Sequence, residues 1–137
     1  QKVAYNRGEH GLLAISRLLK EKKLLGVLYD QDTNDDGVDL KLFGKDSIIP
    51  LGAAALSRIY GSPVLPCFIH NSEEGGCTVK IYPPLYTPKS KDREKDFYDV
   101  TQELVVILEH EIISHPEMWF WVHDRWIDGR ERFAVRK

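Results

Sequence analysis

Cysteine is scarce: the 137-residue chain has two, Cys67 and Cys77, and a single methionine. A domain of this size, 42% hydrophobic, buries about two thirds of its unfolded surface without covalent staples. The two thiols therefore suit a reduced, cytosolic setting, and the sequence leaves their pairing open. No apolar run approaches the ~20 residues that span a bilayer, and nothing has the charged, apolar and small-residue succession of a signal peptide. Neither sign of charge dominates: 19 Lys and Arg stand against 21 Asp and Glu, a net charge of −2. That excludes the broad positive field that gathers nucleic acid. The G-x-x-x-x-G-K-[ST], G-x-G-x-x-G and G-x-S-x-G patterns are missing, so phosphate-loop, dinucleotide and hydrolase-elbow chemistry have no anchor. Repeats, low-complexity tracts and internal linkers are also lacking, and one domain with one core is expected.

What is present alternates between helical and strand periods. Residues 9–23 place Leu12, Leu13, Ile15, Leu18 and Leu19 at helical spacing and end in basic residues, predicting an amphipathic helix packed on a sheet. "LLGVLY" (24–29) is apolar on both parities, as in a parallel strand covered on both faces. "VDLKLF" (38–43) alternates, so a half-exposed strand or edge arm is expected. Residues 48–61 suit a small-residue helix closed by Gly61, and 62–70 a buried strand, which completes one strand, helix, strand unit. "CTVKIYPPL" (77–85) should return as the second arm of a hairpin after "NSEEGG". Phe97, Val100, Leu104, Ile107 or Leu108, and Ile112 keep helical spacing for about four turns. The fold class expected is α/β, with a mixed, mostly parallel central sheet flanked by helices.

Five aspartates crowd residues 30–39, and 32–37 match the first half of a calcium loop. The second half fails, because Phe43 stands where a bidentate glutamate belongs. A solvated turn accounts for Asn34 to Gly37. Asp30 and Gln31 differ: they sit at the C-terminal mouth of an expected buried strand, where open α/β sheets hold ligands. In "HEIISH", His110 and His115 are five apart, about 140° round a helix, so they do not form the two-histidine zinc signature. They are expected against the negative end of the helix dipole. Cys67, inside an apolar strand, is expected in the core, and no metal site is expected.

The order of the pieces is more specific than any one of them. A strand ending in Asp30-Gln31, an arm ending "FG", a small-residue helix, "SPVLPCFI", "PPL", a long helix and "HPEMWFWVHDRW" resemble the C-terminal half of the lipid A biosynthesis, or late, acyltransferases. The family tail is proline-glutamate, an aromatic, then tryptophan, x, histidine, x, arginine, aromatic. Pro116-Glu117, Trp119, Trp121, His123, Arg125 and Trp126 fit it. Ile127-Asp128 departs from the lysine and small polar residue usual after the aromatic.

This resemblance implies a glycerolipid-acyltransferase-like partial domain, 1–137 being the C-terminal part. The enzyme would transfer a fatty acyl group from acyl carrier protein to a hydroxyl of a lipid A precursor, at the cytoplasmic face of the bacterial inner membrane, without a cofactor. The family's histidine-acid dyad, whose histidine serves as general base, would lie upstream, as would any membrane anchor. Gln1 opens what reads as a strand-to-helix connection, in keeping with a fragment that is inactive alone. His123 and Asp128 reproduce the dyad spacing, but the tail pattern already claims His123. Substrate-binding residues implied by matching positions are Arg7, Asp30, Gln31 and Arg125. Arg7 would suit a phosphate or carbonyl oxygen, and Asp30 would orient a sugar hydroxyl or pair with Arg7. The basic end, Arg125 to Lys137, would meet lipid phosphates at a membrane surface. A non-enzymatic α/β module that holds a small molecule or a protein on the Asp30 rim is the alternative reading.

Overall fold

The alternating run near residue 40 becomes the first arm of a hairpin in the computed structural model, which describes residues 9–30, 37–72, 74–122 and 125–126. Strand β1 (Gly37–Leu42) pairs antiparallel with β2 (Lys45–Pro50), from Gly37 opposite Pro50 to Leu42 opposite Lys45. The turn residues Phe43 and Gly44 both have left-handed backbones, φ 54° and 76°, as a two-residue turn matching the strand twist requires. A bulky residue in that region costs roughly 1–2 kcal/mol. Phe43 is held there by its N–H, which donates to Glu109 Oε1 at 2.5 Å, and by its ring, which meets Trp119 and Trp121 at 6.4 Å. Gly37 is required for another reason: a Cβ there would lie 2.4 Å from the Ile49 carbonyl oxygen. One face of the hairpin buries Leu40, Leu42, Ser47 and Ile49, and the other leaves Asp39 and Lys41 in solvent.

The second arm corrects the expected helix over 48–61. Residues up to Pro50 are strand, and helix α2 (Gly52–Tyr60) starts only beyond them. Pro50 sits at the end of the ladder, where a missing N–H is tolerated. Gly61 closes α2 as expected, left-handed at φ 66°, with its N–H bonded to the Ser57 carbonyl. Ala54 and Ser57 are small enough to bring α2 close to the long helix α3 (Arg93–Ser114).

Helix α3 is the organising element. Asp92 caps it by accepting from the Lys95 N–H at 2.9 Å. Val100, Leu104, Leu108 and Ile112, four apart, are all buried, so Leu108 and not Ile107 holds the inward position. The upper part packs with Ala54 and Phe97, and the lower part, through Val105, Leu108 and Ile112, packs under the β1–β2 hairpin. At its start the buried Asp96 carboxylate accepts from the Ser90 N–H at 2.9 Å and from Arg58 Nε at 3.2 Å. The Ser90 contacts foremost, then Arg58, hold this carboxyl below its ordinary 3.8 against the upward push of burial. Because the folded value is depressed, the stabilisation is complete above the ordinary carboxylate range and disappears as pH falls through the folded value. An Asp96→Asn variant should therefore lose urea stability at about pH 6 and converge with wild type as the pH falls below about 4.

Strands β3 (Cys67–Asn71) and β4 (Cys77–Ile81) form the expected hairpin, shorter than the sequence suggests and extended by a Tyr82 N–H bond to the Pro66 carbonyl and a bridge between Val64 and Leu85. Cys67 is exposed rather than in the core. It pairs with Ile81 while Cys77 pairs with Asn71, so the thiols lie four residues apart along the ladder, roughly 13 Å. A disulfide needs Cα atoms within about 7 Å, and both cysteines are free.

The chain is thus a mixed α/β structure with, among the described residues, three α-helices and two small antiparallel sheets. A mostly parallel central sheet is not what these residues show. Residues 24–29 have the composition of a buried strand but pair with no other described segment, and Leu24 and Leu28 are 91% and 70% exposed. A parallel strand exists only through its neighbours' backbones, which apolar composition cannot supply. Helix α1 (Glu9–Lys20) forms as expected, yet Leu12 and Leu13 stay exposed instead of packing on a sheet.

Candidate active-site cavity and polar hub

The unpaired segment 24–30 borders a cavity of about 1090 Å³. Leu28, Ala53, Leu65, Leu104, Leu108 and Met118 supply much of its apolar wall, and Lys20, Lys22 and Lys23 bring positive charge to its lining. The volume lies just above the range of ~300–1,000 Å³ common for small-molecule sites. Tyr29 pins the segment to the middle of α3, its hydroxyl donating to the Thr101 carbonyl at 3.2 Å. Burial pushes the Tyr29 phenol up, while the Thr101 bond and the charge of Arg125 act in the opposite sense. The next residue, Asp30, lines the cavity and is half-buried, as its place at the end of an apolar run suggests. Of the other residues singled out in the sequence, Arg7, Gln31 and His123 lie outside the described residues, as do most of the calcium-like loop and of the basic end.

Arg125 is placed differently from a surface phosphate contact. It is buried at 3% exposure, and its backbone carbonyl accepts from the Ser47 hydroxyl at 2.8 Å. Its neighbour Trp126 donates its indole N–H to the Leu42 carbonyl at 2.9 Å. Trp119 meets Trp121 and Trp126 edge to face, at 4.9 and 6.1 Å, and the Trp121 indole N–H donates to the Pro116 carbonyl. The aromatic tail thereby clamps the β1–β2 hairpin, and Arg125 acts electrostatically on Tyr29, beside Asp30.

The same cavity is lined by a polar hub that the sequence reading missed: His70 from β3, Glu111 from α3 and His115 at its C-cap. Glu111 is buried, 3% exposed. Its Oε1 accepts from Lys80 Nζ at 2.6 Å and from the Tyr82 hydroxyl in a very short bond. Burial pushes the carboxyl up, but Lys80 and Tyr82 outweigh it and hold it at about 2, an ionised carboxylate. Its Oε2 lies 2.9 Å from His70 Nε2, and the His70 and His115 rings face each other with centroids 4.0 Å apart. His110, by contrast, is exposed and meets the Tyr82 hydroxyl at 3.2 Å. The two histidines of "HEIISH" do diverge as their spacing demands. The missed signal was that Glu111 and His115 are four apart and share a face, with Lys80 of β4 and Tyr82 just past its end, two apart, reaching Glu111. Among the described residues, His70, Glu111 and His115 are the group whose side chains could hold a metal ion.

Comparison with known proteins is consistent along most of the chain. Residues 3–128 match the family model described as bacterial lipid A biosynthesis acyltransferase. A phosphatidylinositol mannoside acyltransferase from Mycobacterium tuberculosis (strain ATCC 25618 / H37Rv) is 26% identical over 114 residues, 82% of this chain and 34% of the relative. One from Mycolicibacterium smegmatis (strain ATCC 700084 / mc(2)155) is 25% identical over 114 residues, 82% of this chain and 35% of the relative. The chain spans about a third of the length of the curated relatives it matches.

Proposed function

Because the chain belongs to the bacterial lipid A biosynthesis acyltransferase family, we propose that it is the C-terminal part of an enzyme that moves a fatty acyl group from acyl carrier protein to a hydroxyl of a lipid A precursor. The observation that carries this reading is the apolar cavity of about 1090 Å³ with a carboxylate, Asp30, in its lining. An acyl chain needs an apolar slot, and the attacked sugar hydroxyl needs a polar group to orient it at the slot's edge. Asp30 takes that role, with Gln31 beside it and Arg7 directed to phosphate or carbonyl oxygen. Arg125, whose charge bears on Tyr29, favours a phosphate-bearing acceptor. The general base is a histidine-acid dyad in a preceding portion of the enzyme, and no cofactor takes part. That portion also supplies strands that pair with 24–29, giving the mostly parallel central sheet.

The site of action in this reading is the cytoplasmic face of the inner membrane. No helix among the described residues is long and apolar enough to cross a membrane, so contact with the bilayer would come from the preceding portion and from the basic end. The mycobacterial relatives favour a second acceptor, a phosphatidylinositol mannoside.

The test is acyl transfer by the full-length enzyme from acyl carrier protein to each acceptor. Asp30→Ala should lower kcat/KM by about 100-fold through misplacement of the acceptor, with folding intact by circular dichroism. Unchanged activity would return Asp30 to a plain turn residue. Absence of turnover by the wild type on both acceptors would favour the non-enzymatic binding module. The 137 residues alone should give no transfer in the same assay.

A further inference from the structure

Helix α3 and strand β3 meet at a point that hydrogen bonds leave unfinished. Glu111 Oε2 and both ring nitrogens of His70 are buried and have no hydrogen-bond partner among the described residues. The 2.9 Å between His70 Nε2 and Glu111 Oε2 is close enough for a bond, but its geometry does not make one. A carboxylate oxygen and ring nitrogens buried without a hydrogen-bond partner are costly unless something, such as a cation, satisfies them.

From this convergence we propose that His70, Glu111 and His115 form a binding site for a late first-row divalent cation, of which zinc is the type. Two imidazoles and one carboxylate are the donor set this class prefers, whereas magnesium and calcium prefer all-oxygen sites. The candidate ligand atoms all lie within 4.8 Å of one another, and ligands at about 2.05 Å from a tetrahedral ion are roughly 3.3 Å apart. Modest rotations of the two rings would close that gap.

The surroundings divide the carboxylate between two tasks. Oε1 is committed to Lys80 and Tyr82, which orient the group, while Oε2 faces the imidazoles. The Glu117 carboxylate lies 3.8 Å from His115 Nδ1, near enough to add negative charge beside the ring but too far for a hydrogen bond. Opposing the cation is the Lys80 ammonium, and His110 Nδ1 lies 3.6 Å from Oε1. All three candidate ligands line the cavity, so the remaining position belongs to water or another small ligand from that space. The ion would tie β3 to the end of α3 and hold that wall of the cavity. This inference does not rest on acyl transfer.

The experiment is zinc titration of the full-length protein after removal of metals by chelation, followed by calorimetry and thermal unfolding, with cobalt(II) absorption as a second probe. One equivalent should bind and raise Tm, and cobalt should show the visible bands of a low-coordinate nitrogen and oxygen site. His70→Ala and His115→Ala should each weaken binding by at least about 100-fold, while His110→Ala binds as wild type does. Should either alanine variant fail to fold by circular dichroism, His70→Gln and His115→Gln serve in its place. Lack of stoichiometric zinc binding by the wild type would overturn the proposal. So would affinity that is unchanged in the His70 and His115 variants.

Discussion

Leu42→Ala should cost about 3–5 kcal/mol of folding free energy, enough to unfold much of a chain whose total stability is of the ordinary ~5–15 kcal/mol. Leu42 is fully buried, packed in the cluster of Leu40, Ile49, Val105, Leu108 and Ile112. Three dependencies converge on it. Its side chain joins the hairpin to α3, its carbonyl accepts the Trp126 indole N–H, and it enters the turn in which Phe43 is held left-handed. A cavity left there cannot easily collapse, because the strand above it is fixed by six cross-strand residue pairs. Urea unfolding followed by the fluorescence of Trp119, Trp121 and Trp126 measures the loss. Leu28→Ala is the contrast: at 70% exposure its stability effect should stay within about 0.5 kcal/mol, although it lines the cavity. Similar effects from the two variants would mean that the hairpin does not pack on α3.

Glu111→Gln should destabilise the fold by about 2–3 kcal/mol when metal is excluded by chelator. The substitution keeps shape and removes charge, and it strips the Lys80 ammonium of its counter-charge. The cost stays below that of breaking a wholly buried pair because the Lys80 side chain is 44% exposed and can turn toward water. His110→Ala, a neighbour in sequence but exposed, should change stability little. Equal midpoints for wild type and Glu111→Gln in urea would show that the hub is not a structural element.

Much of the secondary structure was legible because its signals are local. The four-residue spacing from Val100 to Ile112, Gly61 as a stop and the alternation of β1 each span a few residues, whereas the Asp92 cap was found only in the structure. A carboxylate closing an apolar run stands out in the sequence, and Asp30 lines the cavity. Residues 48–50 were misread as helix because nothing within "KDSIIP" distinguishes a strand from the approach to a helix. Only the register with β1 makes it one. Cys67 was misplaced for a related reason: apolar neighbours were taken for burial, but the strand has an exposed face.

The sequence by itself determined helices α1 and α3, the stop of α2 at Gly61, the hairpin over Cys67–Ile81 and the family tail, since the energies that select them act between residues a few positions apart. Tertiary structure alone decided that Arg125 is buried and not displayed, that the tail closes over the hairpin, and that His70 meets Glu111 and His115. Those contacts join residues 78, 84 and 41 positions apart, as Ser47 and Arg125, Leu42 and Trp126, and His70 and Glu111 show. At such separations no periodicity in the chain specifies a partner. What specifies it is which faces can be buried together with their polar groups satisfied.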